Sequence, residues 1–103
     1  MDIIHYIIIR RDLPFGATLA QVAHAAQVSS EGYHTVCVLG VKDEKTLRKW
    51  AKKLVKKEIS FSICEEPDLN HQATALGVNP DLRTKLAPIF KKLMTYREFS
   101  GTV

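Results

Sequence analysis

Seven consecutive residues near the start of the chain, Ile3–Ile9, leave it few folds to choose from. The run is isoleucine throughout except for His5 and Tyr6. A β-branched stretch without polar alternation has no wet face, so it reads as a central strand covered on both sides. Arg10, Arg11 and Asp12 stop it, and Pro14 and Gly16 supply a turn. The Ala-rich segment Gly16–Ala26 then reads as a helix that runs to Ser29 or Ser30 and ends at Glu31-Gly32. Tyr33–Val41 is a second, valine-rich strand. A strand, one helix and a strand joined this tightly form a right-handed crossover with the two strands parallel.

The rest of the chain continues the alternation. Asp43 caps a second helix, with Glu44 in its first turn. Leu47, Trp50, Ala51, Leu54 and Val55 repeat at i, i+3, i+4, i+7 and i+8, which makes that helix amphipathic and Trp50 a core anchor. Ile59–Cys64 is a third strand, Glu65–Asn70 a loop, and Gln72–Val78 a fourth strand. Asn79-Pro80-Asp81 opens a last helix from Leu82 to about Leu93, which Pro88 should bend or break. Residues 97–103 read as a loose tail. At 103 residues this is one domain, 1–103. The expected fold is α/β: a three-layer α/β/α sandwich around a small, four-stranded mixed sheet.

Several classes drop out. No apolar run spans a bilayer, and the N-terminus has neither a basic leader nor a small-residue cleavage site. The expectation is a cytoplasmic chain with no membrane partner. Cys37 and Cys64 each sit in a strand and read as buried thiols, not a disulfide or metal pair. His71 with Glu66 and Asp68 on one short loop does not define a metal site. There is no phosphate-binding glycine loop and no dinucleotide fingerprint, so no cofactor is expected.

Chemistry concentrates around the first turn and helix. At about 100° per residue, Leu19, Val22, Ala23 and Ala26 share one face, which is expected to pack on the sheet. Ala17, Gln21, His24 and Val28 share the other, beside the end of the first strand, where α/β folds bind ligands. Gln21 and His24 read either as site residues or as a solvated helix face. Asp12 reads as a helix cap or as the partner of an active-site base. Among Glu65, Glu66 and Asp68, one can act as a general base; equally, they form an acidic, solvated loop. Thr74 reads as an oxyanion donor or an ordinary strand threonine.

The words RRDL and AQVAHA resemble the opening of the type 2 peptidyl-tRNA hydrolase family. That family has a hydrophobic strand, an Arg-x-Asp-Leu turn, a Gly-Lys pair and Ala-Gln-x-x-His-Ala on its first helix. Arg10, Arg11, Asp12, Leu13, Gly16, Ala20, Gln21, His24 and Ala25 match it, and Thr74, Leu76, Gly77 and Pro80 match a later part. Two places depart. The turn is shorter, and Ala17 stands where the family carries an active-site lysine. Glu65, Glu66, Pro67 and Asp68 replace its Asp-Ala-Gly loop. Both departures resemble the divergent peptidyl-tRNA hydrolase domain-containing branch. The resemblance implies strand order 2-1-4-3 with strand four antiparallel. It also implies hydrolysis of the ester between a peptide, or an N-blocked amino acid, and tRNA. The implied site is Asp12, Gln21, His24, Glu66, Asp68 and Thr74. The implied partner is tRNA, and a homodimer stays open. The alternatives are an RNA-binding module that lost the chemistry, or a hydrolase of another acyl-ester.

Charge points the same way. The net charge is +4. Between Asp43 and Glu58 there are seven basic and three acidic residues, and the rest of the chain carries eight of each. The excess therefore lies on the second helix. Lys45, Arg48, Lys49, Lys52, Lys53 and Lys56 read as an RNA-backbone patch, or as the solvated face of an amphipathic helix.

Overall fold

The isoleucine run forms the central strand, β1 (Ile3–Arg10). In the computed structural model, which describes residues 2–96, Ile4, Ile7, Ile8 and Ile9 are all fully buried. Such burial needs cover on both faces, and the helices supply it. Ile7 and Ile9 pack with Ala25 of α1 (Phe15–Ser29), while Ile4, Tyr6 and Ile8 join Leu47 and Leu54 of α2 (Glu44–Lys56) and Leu86 and Phe90 of α3 (Arg83–Phe90). The result is the expected α/β/α sandwich, with α1 on one face and α2 and α3 on the other.

Alongside β1, β2 (Thr35–Val41) runs parallel, with Ile8 opposite Leu39. On the other side β4 (Gln72–Val78) runs antiparallel, with Ile8 opposite Leu76, and β3 (Phe61–Glu66) pairs antiparallel with β4. These four strands follow the order 2-1-4-3. Among the described residues the strand count of four is corrected to six, because two-residue strands β5 (Asp81–Leu82) and β6 (Met94–Thr95) also join the sheet. Pro80 has no N–H to give, so pairing to β1 breaks after β4 and resumes one residue out of register, at Ile4 opposite Asp81. The last helix therefore starts at Arg83. Pro88 does not break it, but the helix ends two residues later, at Phe90. The tail at residues 97–103 lies outside the described residues.

Other boundaries moved by one or two residues, β2 among them, which starts at Thr35 and not Tyr33. Strand β3 starts at Phe61 and reaches Glu66, so Glu65 and Glu66 are strand residues with a register shift between Cys64 and Glu65. Cys37 and Cys64 belong to the clusters on opposite faces of the sheet, and both are free thiols; burial pushes the Cys64 thiol pKa up. Trp50 is half-buried. One side of its ring lies against Phe90, 5.6 Å between centroids, and Lys53 Nζ sits 4.3 Å from its centroid. Val55, expected on the apolar stripe, is exposed.

The packed face of α1 is turned from the one its apolar residues suggested. Thr18, Gln21, Ala25 and Ser29 are buried and Val22 and Ala26 half-buried against the sheet, while Leu19, 56% exposed, and Ala23 face outward. The reason is close approach. A Cβ at Gly77 of β4 would lie 2.4 Å from both Ala25 O and Ser29 Oγ, so only small residues fit where the helix crosses the strand. Ser29 Oγ donates to Ala25 O at 2.6 Å and, with its proton so committed, accepts from His5 Nε2 at 2.6 Å.

His5 is 3% exposed, and its burial, with His34 nearby, lowers its pKa below the ordinary 6.5. The unfolded chain therefore binds this proton more readily. The stability involved is complete above the unfolded value of about 6.5 and is lost as pH falls toward the folded one. We expect the melting temperature to drop between about pH 7.5 and 5.5, and His5→Gln to flatten that drop. Asp12, Asp43, Glu44 and Asp81, whose pKa values are also lowered, act in a separate window below about pH 4.

Candidate functional site

Strand β3 is antiparallel to β4 and so runs parallel to β1 and β2. The carboxyl ends of all three, and the start of β4, meet at one end of the sheet. Arg10, Asp12, Glu66 and Gln72 gather there, with the first turns of α1 and α2.

The centre of this end is a hydrogen-bonded relay. Thr74, fully buried on β4, donates from Oγ1 to Gln21 Oε1 at 2.6 Å, and Cys64 O lies 3.3 Å from the same hydroxyl. Gln21 Nε2 donates to Glu66 Oε2 at 2.9 Å. Glu66 Oε1 accepts from the Asp68 amide at 3.3 Å, so the carboxylate also caps the short turn Pro67–Leu69. Glu66 and Gln21 open onto a cavity of about 290 Å³ lined also by Pro14, Ala17, Ala20, Asp68 and Leu69. The relay fixes both partners of the carboxylate, leaving it aimed at the cavity as a hydrogen-bond acceptor.

A second network braces the same end. Arg10 is 8% exposed and holds Asp12 through two bonds, Nε to Oδ1 at 2.6 Å and Nη2 to Oδ2 at 2.9 Å. Its Nη1 donates to Gln72 Oε1 at 2.8 Å and to Ala73 O at 3.2 Å, tying β1 to β4. The Asp12 bond raises the guanidinium pKa and lowers that of the carboxylate. Glu44, from the first turn of α2, accepts from the Ala73 amide at 2.7 Å, and this bond lowers its pKa.

The structure brings together only part of the expected set. Gln21, Glu66 and Asp68 line the cavity with Ala17. Thr74 supports them from behind; its hydroxyl is spent on Gln21 and does not face a ligand. Asp12 neither caps α1, whose N-cap is Pro14, nor lines this cavity. His24 lies on the exposed side of α1, because Gln21 turns inward and His24, three residues on, does not. Glu65 is held at 3.3 Å by Arg48, which also binds Glu44 at 3.1 Å. Arg48 is therefore engaged within the fold, whereas Lys45, Lys49, Lys52, Lys53 and Lys56 are exposed along α2. Glu44 and Gln72 were not expected in the site, and Arg10 was expected there only as a match to the Arg-x-Asp-Leu word, not as the brace of Asp12. The signal for Arg10 was its place as the last residue of an otherwise apolar strand, two before Asp12. Among the described residues, no group of three or more His, Cys, Asp or Glu side chains is arranged to hold a metal ion. No helix among them is long and apolar enough to cross a membrane.

Comparison with known proteins identifies a fold. No family model matches the chain, and no curated protein matches it. Among solved structures it is similar to a protein of unknown function from Agrobacterium tumefaciens str. C58. The two are 15% identical over 94% of this chain and 99% of that chain, with a TM-score of 0.64. At that identity the likeness speaks to architecture alone: the same sandwich, nearly end to end.

Proposed function

We propose that the chain is a hydrolase of the ester joining a peptide, or an N-blocked amino acid, to tRNA. The observation that carries this reading is the Thr74–Gln21–Glu66 relay opening onto a cavity, on the elements where the sequence resembles type 2 peptidyl-tRNA hydrolases. Glu66 takes a proton from water as general base, and that water adds to the ester carbonyl. The tetrahedral species collapses, the ribose oxygen leaves with a proton, and the acyl group departs as a carboxylic acid. Gln21 orients Glu66, and Thr74 orients Gln21. Asp68, on the cavity wall, is the second carboxylate within reach of the water.

One observation favours a second reading, an RNA-binding module without turnover. The cavity lining holds two carboxylates and no cation. Nothing on that wall offsets negative charge developing on the ester oxygen. Purified protein with N-acetyl-aminoacyl-tRNA separates the two: turnover supports the hydrolase, binding without turnover supports the module, and the absence of both turnover and binding supports a hydrolase of another acyl-ester.

Both tRNA readings draw RNA affinity from α2. Changing Lys49, Lys52, Lys53 and Lys56 together to Glu should weaken tRNA binding strongly and flatten its dependence on salt, because each phosphate contact releases counterions. Unchanged affinity and salt slope, measured by fluorescence anisotropy, would remove α2 from the interface.

A further inference from the structure

A concave surface larger than the cavity beside Glu66 lies at the same end of the sheet. It is a crevice of about 520 Å³ lined by Arg11, Asp12, Gly40, Val41, Lys42, Thr46, Lys92 and Leu93. These residues come from the carboxyl ends of β1 and β2, the first turn of α2 and the segment before β6. The chain leaves β1 for α1 on one face of the sheet and leaves β2 for α2 on the other. The crevice therefore sits where adjacent parallel strands send their connections to opposite faces, the position at which α/β sheets bind ligands. Only Leu13 separates Asp12, on this crevice, from Pro14, on the other cavity.

Cations outnumber acids on its lining: Arg11, Lys42 and Lys92 stand against Asp12 alone among the described residues. Asp12 is held by Arg10, and the nearby Asp43 Oδ1 accepts from Thr46 N at 2.9 Å and Thr46 Oγ1 at 2.8 Å. Arg11 is also positioned in advance. Its stem lies flat against Gly40, where a Cβ would come within 2.9 Å of Arg11 Cδ, and its guanidinium is 5.5 Å from the Tyr96 ring centroid. At the start of α2, Asp43 already takes the amides of Thr46 and Leu47. Side chains carry the recognition.

We propose that this crevice binds a phosphate group, carried by a free nucleotide or by an RNA strand. Two flexible ammonium groups, Lys42 and Lys92, lining one hollow suit a tetrahedral anion. The hollow is several times larger than the anion itself, and Leu93 and Val41 give an apolar wall for the remainder of the ligand. This site does not depend on ester hydrolysis at Glu66, and either assignment stands if the other fails.

The test is an amide NMR titration of the full chain, first with AMP and then with a single-stranded RNA of about twelve nucleotides. Saturable shifts at Gly40, Lys42 and Thr46 are expected. Lys42→Glu with Lys92→Glu should weaken that binding by about tenfold or more. Lys42→Gln with Lys92→Gln, which keeps both exposed stems, should give a smaller loss and controls for folding. Shifts with AMP assign a free nucleotide, and shifts with RNA alone assign a strand. The α2 charge-reversal variant should retain the AMP shifts. If neither ligand moves these signals at millimolar concentration, or if both double variants bind like wild type, the crevice is not a phosphate site.

Discussion

Ala17→Lys raises the single-turnover rate of N-acetyl-aminoacyl-tRNA hydrolysis by about 10²–10³, the usual worth of one group aimed at a developing oxyanion. Position 17 lies one turn before Gln21 on α1, and its side chain lines the cavity with Glu66 and Asp68. A lysine there brings an ammonium to a wall that now holds only carboxylates for charge. The cost is small. Lysine is a good helix former, and a cation in the first turn loses about 0.3–1 kcal/mol against the helix dipole. Gln21→Ala added to Ala17→Lys should remove most of the gain, because Glu66 then loses the amide that orients it. A folded Ala17→Lys protein with no gain would favour the RNA-binding module, since the cavity would then be missing more than its cation.

The largest loss of stability from one added carbon is expected at Gly77→Ala. The new methyl would meet the carbonyl of Ala25 and the hydroxyl of Ser29, each at 2.4 Å. The first belongs to helix backbone and cannot turn aside. Separating α1 from β4 also strains the buried Ser29–His5 hydrogen bond. Overpacking and a weakened buried bond together cost roughly 2–5 kcal/mol, and thermal unfolding should fall by about 10 °C or more. Adding Ser29→Ala relieves only the hydroxyl contact, so the double variant should recover part of the loss. A Gly77→Ala protein that melts within a degree or so of wild type would contradict the close packing of α1 on β4.

The parts of this fold that were legible in the sequence are those set by local pattern. Isoleucine at Ile7, Ile8 and Ile9 left no face for water, and Asp43 before Glu44 marked the start of α2 to the residue. Where packing decides, the sequence misled. Leu19 and Ala23 looked like the buried stripe of α1, yet contact at Gly77 selects small residues, and Ala25 and Ser29 go inside. That choice also turned Gln21 inward and left His24 outside, which no periodicity of α1 alone could reveal. Glu66 was legible only as one of three nearby acids. Its selection depends on the register shift after Cys64, a pairing with β4 that a linear reading does not contain. Two-residue strands such as β5 and β6 carry no periodicity at all.

The central claim is that Glu66, held by Gln21 and Thr74, activates water at an ester carbonyl. Single-turnover hydrolysis of N-acetyl-aminoacyl-tRNA by wild type and Glu66→Gln tests it most directly, with tRNA affinity measured on the same samples. Glutamine keeps the size of the side chain and can still meet Gln21, but it cannot accept a proton from water. The account predicts a rate lower by about 10²–10⁴ with tRNA affinity unchanged. Equal rates for the two proteins, or no hydrolysis by wild type, would contradict it.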